Sequence, residues 1–150
     1  MHYPHYSILA VSKSNTTYLF LSEGSKGLIL KVVQFAPTDE PNIVNLSLGD
    51  YDTDGIVRDD LISNNGDLKK VIATVVIILE RFLEISPNKK VFFSGLTKSR
   101  NRLFRLMLSN YKKELNPTFI IQGLIQNGDE NIIIPFEANH EYIGYLISIH

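Results

Sequence analysis

Alternating and short apolar runs in the first part of the chain predict four strands before any helix. Tyr18–Ser22 and Leu28–Phe35 predict two strands, and the two glycines between them can adopt the positive φ angles of a tight hairpin. The apolar residues of 43–50 predict a third strand. Because Asp54-Gly55 is a strong turn signal, we expect 56–62 to return as a fourth strand in a second hairpin.

The next segment changes to helical spacing. Asn64-Asn65-Gly66-Asp67 interrupts the strand pattern and ends in a residue suited to cap a helix N-terminus. The apolar residues that then recur at intervals of three and four are Leu68, Val71, Ile72, Val75, Val76, Leu79, Phe82 and Leu83. They predict a first helix that ends before Pro87. Its apolar face is broad, so we expect it to be covered by the sheet and by another element or a partner subunit.

The remaining chain predicts one strand, a second helix and two more strands, and after these an apolar tail that favours a strand and is not counted in the order below. These elements are Val91–Phe93, the helix from Lys98 to about Lys113, Phe119–Ile125, Ile132–Ile134 and Tyr142–Ile149. The order β-β-β-β-α-β-α-β-β predicts a single α+β domain over 1–150, a largely antiparallel twisted sheet with two helices packed on one face. The β-β-β-β-α opening resembles the unit of Whirly and PUR-type single-strand nucleic-acid binders.

Composition narrows the class of protein. With 44% hydrophobic and 21% charged residues over 150 positions, the chain is typical of a globular protein, which excludes intrinsic disorder and collagen-like scaffolds. The absence of cysteine excludes disulfides and thiolate metal sites and agrees with a reducing cytoplasm. The longest apolar run, Val71–Leu79, is far shorter than the roughly 20 residues needed to cross a bilayer. We therefore predict a cytoplasmic protein with no membrane partner.

Charge is strongly segregated along the chain. Fifteen Lys and Arg nearly balance sixteen Asp and Glu, so no global basic field indicates nucleic acid. Residues 98–113 nevertheless carry six cations and no acid. These cations are Lys98, Arg100, Arg102, Arg105, Lys112 and Lys113. One interpretation is that this helix binds a phosphate backbone, and the other is that it is a solvated face matched to acids of the same fold or of a partner.

Arg100 is the most informative cation of this segment. It projects on the apolar side of the predicted helix, in its first turn, where a guanidinium needs a carboxylate or a phosphate as partner. Together with the hydroxyl of Thr97 and the helix N-terminus it predicts an anion pocket. The predicted ligand-binding residues are Thr97, Lys98, Arg100, Arg102 and Arg105. The alternative is an internal salt bridge from Arg100 to one of the supporting acids Glu23, Asp50 and Asp67.

The sequence offers no metal site and no catalytic motif. Asp50, Asp52, Asp54 and Gly55 match the start of an EF-hand loop, but Leu61 stands where a bidentate Glu should close it. A solvated hairpin tip explains these acids better. The four histidines lack metal-ligand spacing, and there is no GxSxG elbow. We predict no metal and no cofactor, and assign no catalytic residue.

Several short motifs resemble those of an uncharacterised family of small proteins from Bacteroidota genomes. They are Ser22-Glu23-Gly24, Lys26-Gly27, Lys31, Asn45-Leu46, Gly49-Asp50, Asn64-Asn65-Gly66-Asp67, Lys70-Val71, Ala73-Thr74-Val75, Gly95, Thr97 and Arg100-x-Arg102-Leu103-Phe104. Leu96, Asn101 and Phe104 stand where the family is expected to have Ser, Thr and Tyr. The resemblance implies a bacterial, cytoplasmic protein and brings no assigned activity.

Three functional hypotheses follow. The preferred one is a binding module, expected to be a homodimer, that uses its basic helix against single-stranded nucleic acid or a phosphorylated ligand. The second is a small phosphodiester-cleaving or toxin-like enzyme, in which Arg100 and Arg102 hold the phosphate and Glu23 or Asp67 is the base. The third is a protein-protein interaction subunit whose basic helix binds an acidic partner.

Overall fold

The computed structural model of the chain describes residues 4–51, 57–58, 65–93, 105, 108–109, 118–137 and 140–149. Nine strands and one continuous helix form within these residues. In chain order they are β1 (Ile8–Val11), β2 (Thr17–Gly24), β3 (Gly27–Pro37), β4 (Ile43–Tyr51), β5 (Val57–Arg58), α1 (Leu68–Ile85), β6 (Lys90–Phe93), β7 (Phe119–Asn127), β8 (Glu130–Pro135) and β9 (Gly144–Ile149).

All nine strands belong to one mixed sheet. Eight of them follow the order β1-β2-β3-β4-β6-β9-β7-β8, and β5 pairs with β4 beside this path. Strands β4 and β6 run parallel, whereas the other pairings are antiparallel. Asp50 of β4 pairs with Lys31 of β3 on one side and with Arg58 of β5 on the other. β5 therefore lies along the edge of β4 that faces away from β3, which is also the edge that pairs with β6.

The predicted α+β architecture, with a largely antiparallel sheet and two helices, is wrong. The sheet is mixed because the chain passes through α1 between β4 and β6, and a helical crossover brings a strand back parallel. In the part of the chain that the structure describes, α1 is the one continuous helix. Of the second predicted helix, Arg105, Leu108 and Ser109 have helical backbone, and the other residues of 98–113 lie outside the described ranges.

Most of the individual strand predictions are confirmed. The β2–β3 hairpin turns through Ser25-Lys26 and enters β3 at Gly27, whose φ is +88°. The β7–β8 hairpin turns at Gly128, with φ +65°. The predicted strand at the end of the chain is β9. Of the predicted fourth strand, 56–62, the structure describes the two residues of β5, and the rest of it and the turn at Asp54-Gly55 lie outside the described residues.

The core lies between one face of the sheet and α1. Tyr18 and Phe20 of β2 are fully buried, and Phe35 of β3 stacks on Phe82 of α1 with ring centroids 4.0 Å apart. Ten of the helix residues are buried, which confirms the broad apolar face. Burial of this kind is the main source of fold stability. No helix within the described ranges combines the length and apolarity needed to cross a membrane.

Candidate functional site

Only one of the five predicted ligand-binding residues falls in the described part of the chain. Thr97, Lys98, Arg100 and Arg102 lie outside it. The Arg105 side chain is 26% exposed, and its Nη1 is 3.9 Å from Oε1 of Glu141, which is 93% exposed. An ion pair this long, with a partner in full solvent, contributes little to stability. The pair with Glu141 therefore does little to fix the Arg105 guanidinium.

The three supporting acids have separate environments. Glu23 is exposed, and its backbone N–H and C=O lie 3.0 and 3.1 Å from Oη of Tyr6. Asp50 pairs with Lys31, and Asp67 accepts hydrogen bonds from hydroxyl groups. Asp50 and Asp67, two of the three acids predicted as possible salt-bridge partners of Arg100, thus contact other side chains.

Asp67 is the centre of a polar cluster that joins three distant parts of the chain. Its Oδ2 accepts hydrogen bonds from Oη of Tyr6 and from Oγ of Ser22, each at 2.5 Å. Asp67 occupies the N-cap position of α1, as predicted, but its side chain makes no capping hydrogen bond. The predicted capping role is therefore wrong. Hydroxyl donors to a carboxylate form strong charge-assisted bonds, and the Asp67 carboxylate is directed toward Tyr6 and Ser22.

Asn65 extends this cluster to the turn of the β2–β3 hairpin. The Asn65 side chain is buried, and its Nδ2 donates to Oγ of Ser22 at 3.1 Å and to the carbonyl of Gly27 at 2.9 Å. Its Oδ1 accepts from the backbone N–H of Lys26 at 2.6 Å. With both amide hydrogens and the carbonyl oxygen in use, Asn65 holds the hairpin turn against the start of α1.

Gly24 lets the hairpin and the Asn65 backbone approach each other. A Cβ built on Gly24 would lie 1.8 Å from the backbone oxygen of Asn65, a distance that no side chain tolerates. The same carbonyl accepts a hydrogen bond from the N–H of Ser25 at 3.0 Å. The position therefore requires glycine for space rather than for a positive φ.

Tyr6 brings the N-terminal segment into the same cluster. Its backbone N–H donates to Oγ1 of Thr74 at 2.9 Å, and its ring stacks on Phe20 at 5.9 Å between centroids. Lys70 covers the ring, with Nζ 4.4 Å from the centroid, which is the geometry of a cation–π contact. Burial, and next the hydrogen bond to Asp67, raise the pKa of the Tyr6 phenol above its ordinary value.

A buried ion pair lies on the same side of the sheet. Lys31 is 2% exposed, and its Nζ is 2.5 Å from Oδ1 of Asp50 on the neighbouring strand. Lys31 and Phe35 are four residues apart on β3, so both point toward α1. An unpaired charge at this depth would be costly. The sequence carried a signal for it: Lys31 interrupts an apolar strand at an inward position.

These contacts indicate an anchoring role for the cluster rather than a reactive one. Ser22 is fully buried and Asn65 is 1% exposed, so substrate has no direct access to the hydroxyl or the amide. Each polar group named above has a partner within hydrogen-bond distance. Among the residues described, no group of three or more potential metal ligands could hold an ion.

The cluster is built from the motifs that carry the family resemblance. Ser22-Glu23-Gly24, Lys26-Gly27 and Asn65-Gly66-Asp67 all meet there. Comparison with known proteins supports the resemblance to an uncharacterised family. The model of a family of unknown function, DUF6934, matches residues 2–150. No curated protein and no solved structure matches the chain.

Proposed function

We propose that this chain, which belongs to the family of unknown function DUF6934, is a binding module for phosphate-bearing ligands, single-stranded nucleic acid first among them. The proposed binding segment is 98–113. The observation that carries the proposal is the charge of this segment, +6 in a chain whose net charge is −1. Clustered Lys and Arg of this kind supply the salt-dependent part of nucleic-acid affinity.

The state of Arg105 supports this choice. Its ion pair with Glu141 is long, and Glu141 itself is almost fully exposed. Exchanging such a partner for a phosphate oxygen costs little, whereas a cation in a short buried pair, such as Lys31 with Asp50, would have to leave its partner. The partly exposed guanidinium of Arg105 can therefore contact a backbone phosphate in place of Glu141.

The enzyme hypothesis receives less support. It requires Glu23 or Asp67 as a base, and Oδ2 of Asp67 already accepts two short hydrogen bonds. Glu23 is exposed, and its contacts with Tyr6 involve its backbone groups rather than its carboxylate.

An acidic protein partner would bind the same basic segment. The test therefore uses nucleic acid and inorganic phosphate themselves as the ligands. Fluorescence anisotropy of labelled oligothymidylates of increasing length measures affinity at low salt. A nucleic-acid binder gains affinity with length until the binding segment is filled and then levels off. Inorganic tripolyphosphate as competitor tests for a small phosphorylated ligand. Absence of binding to every oligonucleotide and to tripolyphosphate at low salt would refute the proposal.

The cellular setting stays a prediction from the sequence. The resemblance and the absence of cysteine lead us to propose a cytoplasmic protein from Bacteroidota. Fractionation of the native host followed by immunoblotting tests the location, and recovery in a periplasmic fraction would refute it.

A further inference from the structure

The two outer edges of the sheet differ in how they are protected against pairing. One edge is β1, which has four residues and a register shift between Ile8 and Ala10. The other edge is β8, which has six residues and pairs with β7 in regular register. Short length and bulges are ways in which proteins blunt an edge. β8 has neither, and residues 131–134 also lack charge and proline.

The backbone of β8 presents a defined row of hydrogen-bonding groups at this edge. The N–H of Phe136 donates to the carbonyl of Ile121 at 3.1 Å. Because bonded pairs alternate in an antiparallel ladder, Ile134 and Ile132 also bond inward to β7. The N–H and C=O groups of Asn131 and Ile133 therefore point outward, where no strand of the described residues pairs with them.

The side chains beside these groups are apolar and exposed. Ile132 is 38% and Ile133 is 49% exposed. Consecutive exposed isoleucines on an edge strand are costly to leave in water and favour pairing with a further strand. The edge thus combines open backbone groups with an apolar lining, which is the combination that β-strand addition uses.

We infer that β8 pairs with β8 of a second copy of this chain, antiparallel, with the two-fold axis at Ile132. In this register Asn131 faces Ile133 of the other copy, so the N–H and C=O groups of both residues exchange hydrogen bonds with their partners. The arrangement is self-complementary, as a closed dimer requires. The occupant is therefore a second copy rather than an unrelated strand.

The same register fits the charges and the proline at the ends of the strand. Glu130 faces Ile134 of the other copy and Asp129 faces Pro135, so no acid is placed opposite another acid. Pro135 has no N–H to offer the edge, and it lies beyond the groups that exchange hydrogen bonds. It therefore ends the pairing instead of interrupting it.

Cysteine cross-linking tests the register directly. The chain has no cysteine, so Ile132→Cys introduces a single thiol at the proposed axis. Residues that face each other without direct hydrogen bonds have Cα atoms about 4.5 Å apart, which lies within the range of a disulfide. We expect mild oxidation to give a disulfide dimer of this variant much faster than of Leu9→Cys, the matched control on the β1 edge. Equal rates would overturn the proposal.

A charge exchange provides the second measurement. Because the residue at the axis faces its own copy, Ile132→Lys places two like charges opposite each other and should weaken self-association about tenfold or more. Ile132→Glu should do the same, and a mixture of the two variants should dimerise again. Sedimentation equilibrium measures each sample, with Leu9→Lys as control. A wild-type chain that stays monomeric at high micromolar concentration, or a mixture that fails to dimerise, would refute the inference.

Discussion

The phenol of Tyr6 donates a 2.5 Å hydrogen bond to the carboxylate of Asp67 across 61 residues of chain. This contact ties the N-terminal segment to the N-cap residue of α1. The same carboxylate accepts a hydrogen bond from Ser22, so one side chain holds the N-terminal segment, β2 and α1 together. Residues far apart in sequence thus depend on one charged group.

Removing the Tyr6 hydroxyl should therefore destabilise the fold. Tyr6→Phe keeps the ring stacking on Phe20 but removes the hydrogen bond to Asp67 and leaves the N–H of Glu23 without its 3.0 Å acceptor. We expect a loss of about 1.5–3 kcal/mol in the free energy of unfolding, the range for hydrogen bonds to charged groups. Urea unfolding measures it. Tyr51→Phe, at an exposed ring, is the control, and equal losses in both variants would contradict the role given to Tyr6.

Gly24→Ala tests the close approach of the hairpin to Asn65. The new methyl group would meet the backbone oxygen of Asn65, so the turn must move and its hydrogen bonds must lengthen. We expect a loss of about 1–3 kcal/mol, as for overpacking elsewhere in proteins. Gly128→Asn is the control, because nothing lies within 4 Å of its Cβ position and Asn tolerates the positive φ there. A Gly24→Ala chain as stable as this control would show that the hairpin can shift freely.

The sequence predicted those elements whose signals are local. The β2–β3 hairpin follows from the glycines of its own turn, and α1 follows from its apolar spacing. The parallel pairing of β4 with β6 has no local signal, because it depends on where α1 packs. Asp67 shows the same limit within the site: its position at the helix start is a local property, but its partner Tyr6 is distant. Lys31 was included in the family motif, yet its pairing with Asp50 is a matter of strand register.

Buried tyrosines predict a loss of stability at high pH. Burial is the main cause that raises the pKa of Tyr145 to about 12, and it also raises the pKa values of Tyr18 and Tyr6 above 10.0. Between pH 10 and 12 the unfolded chain thus holds fewer protons than the folded one, so stability falls as pH rises. Urea unfolding between pH 8 and pH 12 should show this fall.

Tyr145→Phe isolates the largest of these contributions. The variant removes the phenol whose pKa reaches about 12, so its stability should decline less steeply with pH than that of the wild type. Tyr51→Phe, which removes an exposed phenol, should keep the wild-type slope. If Tyr145→Phe and the wild type declined in parallel, deprotonation of Tyr145 would not contribute to alkaline unfolding.

Arg100→Leu separates the anion pocket from the internal salt bridge. If Arg100 lines an anion pocket, the variant breaks no internal salt bridge and should keep the stability of the ligand-free protein. Phosphate should then raise the melting temperature of the wild type alone. Thermal melts of both proteins with and without phosphate measure this. A loss of about 3–5 kcal/mol in the variant would instead indicate a broken buried salt bridge.

The salt dependence of oligonucleotide binding tests the central claim most directly. The logarithm of the affinity, plotted against the logarithm of the salt concentration, should have a steep negative slope for the wild type. Arg102→Ala combined with Arg105→Ala should flatten the slope by about 0.7 for each single-strand phosphate contact that is lost. Lys13→Ala combined with Lys69→Ala, which removes two exposed cations elsewhere, should leave the slope unchanged. Equal slopes in all three proteins would contradict a phosphate-binding role for residues 98–113.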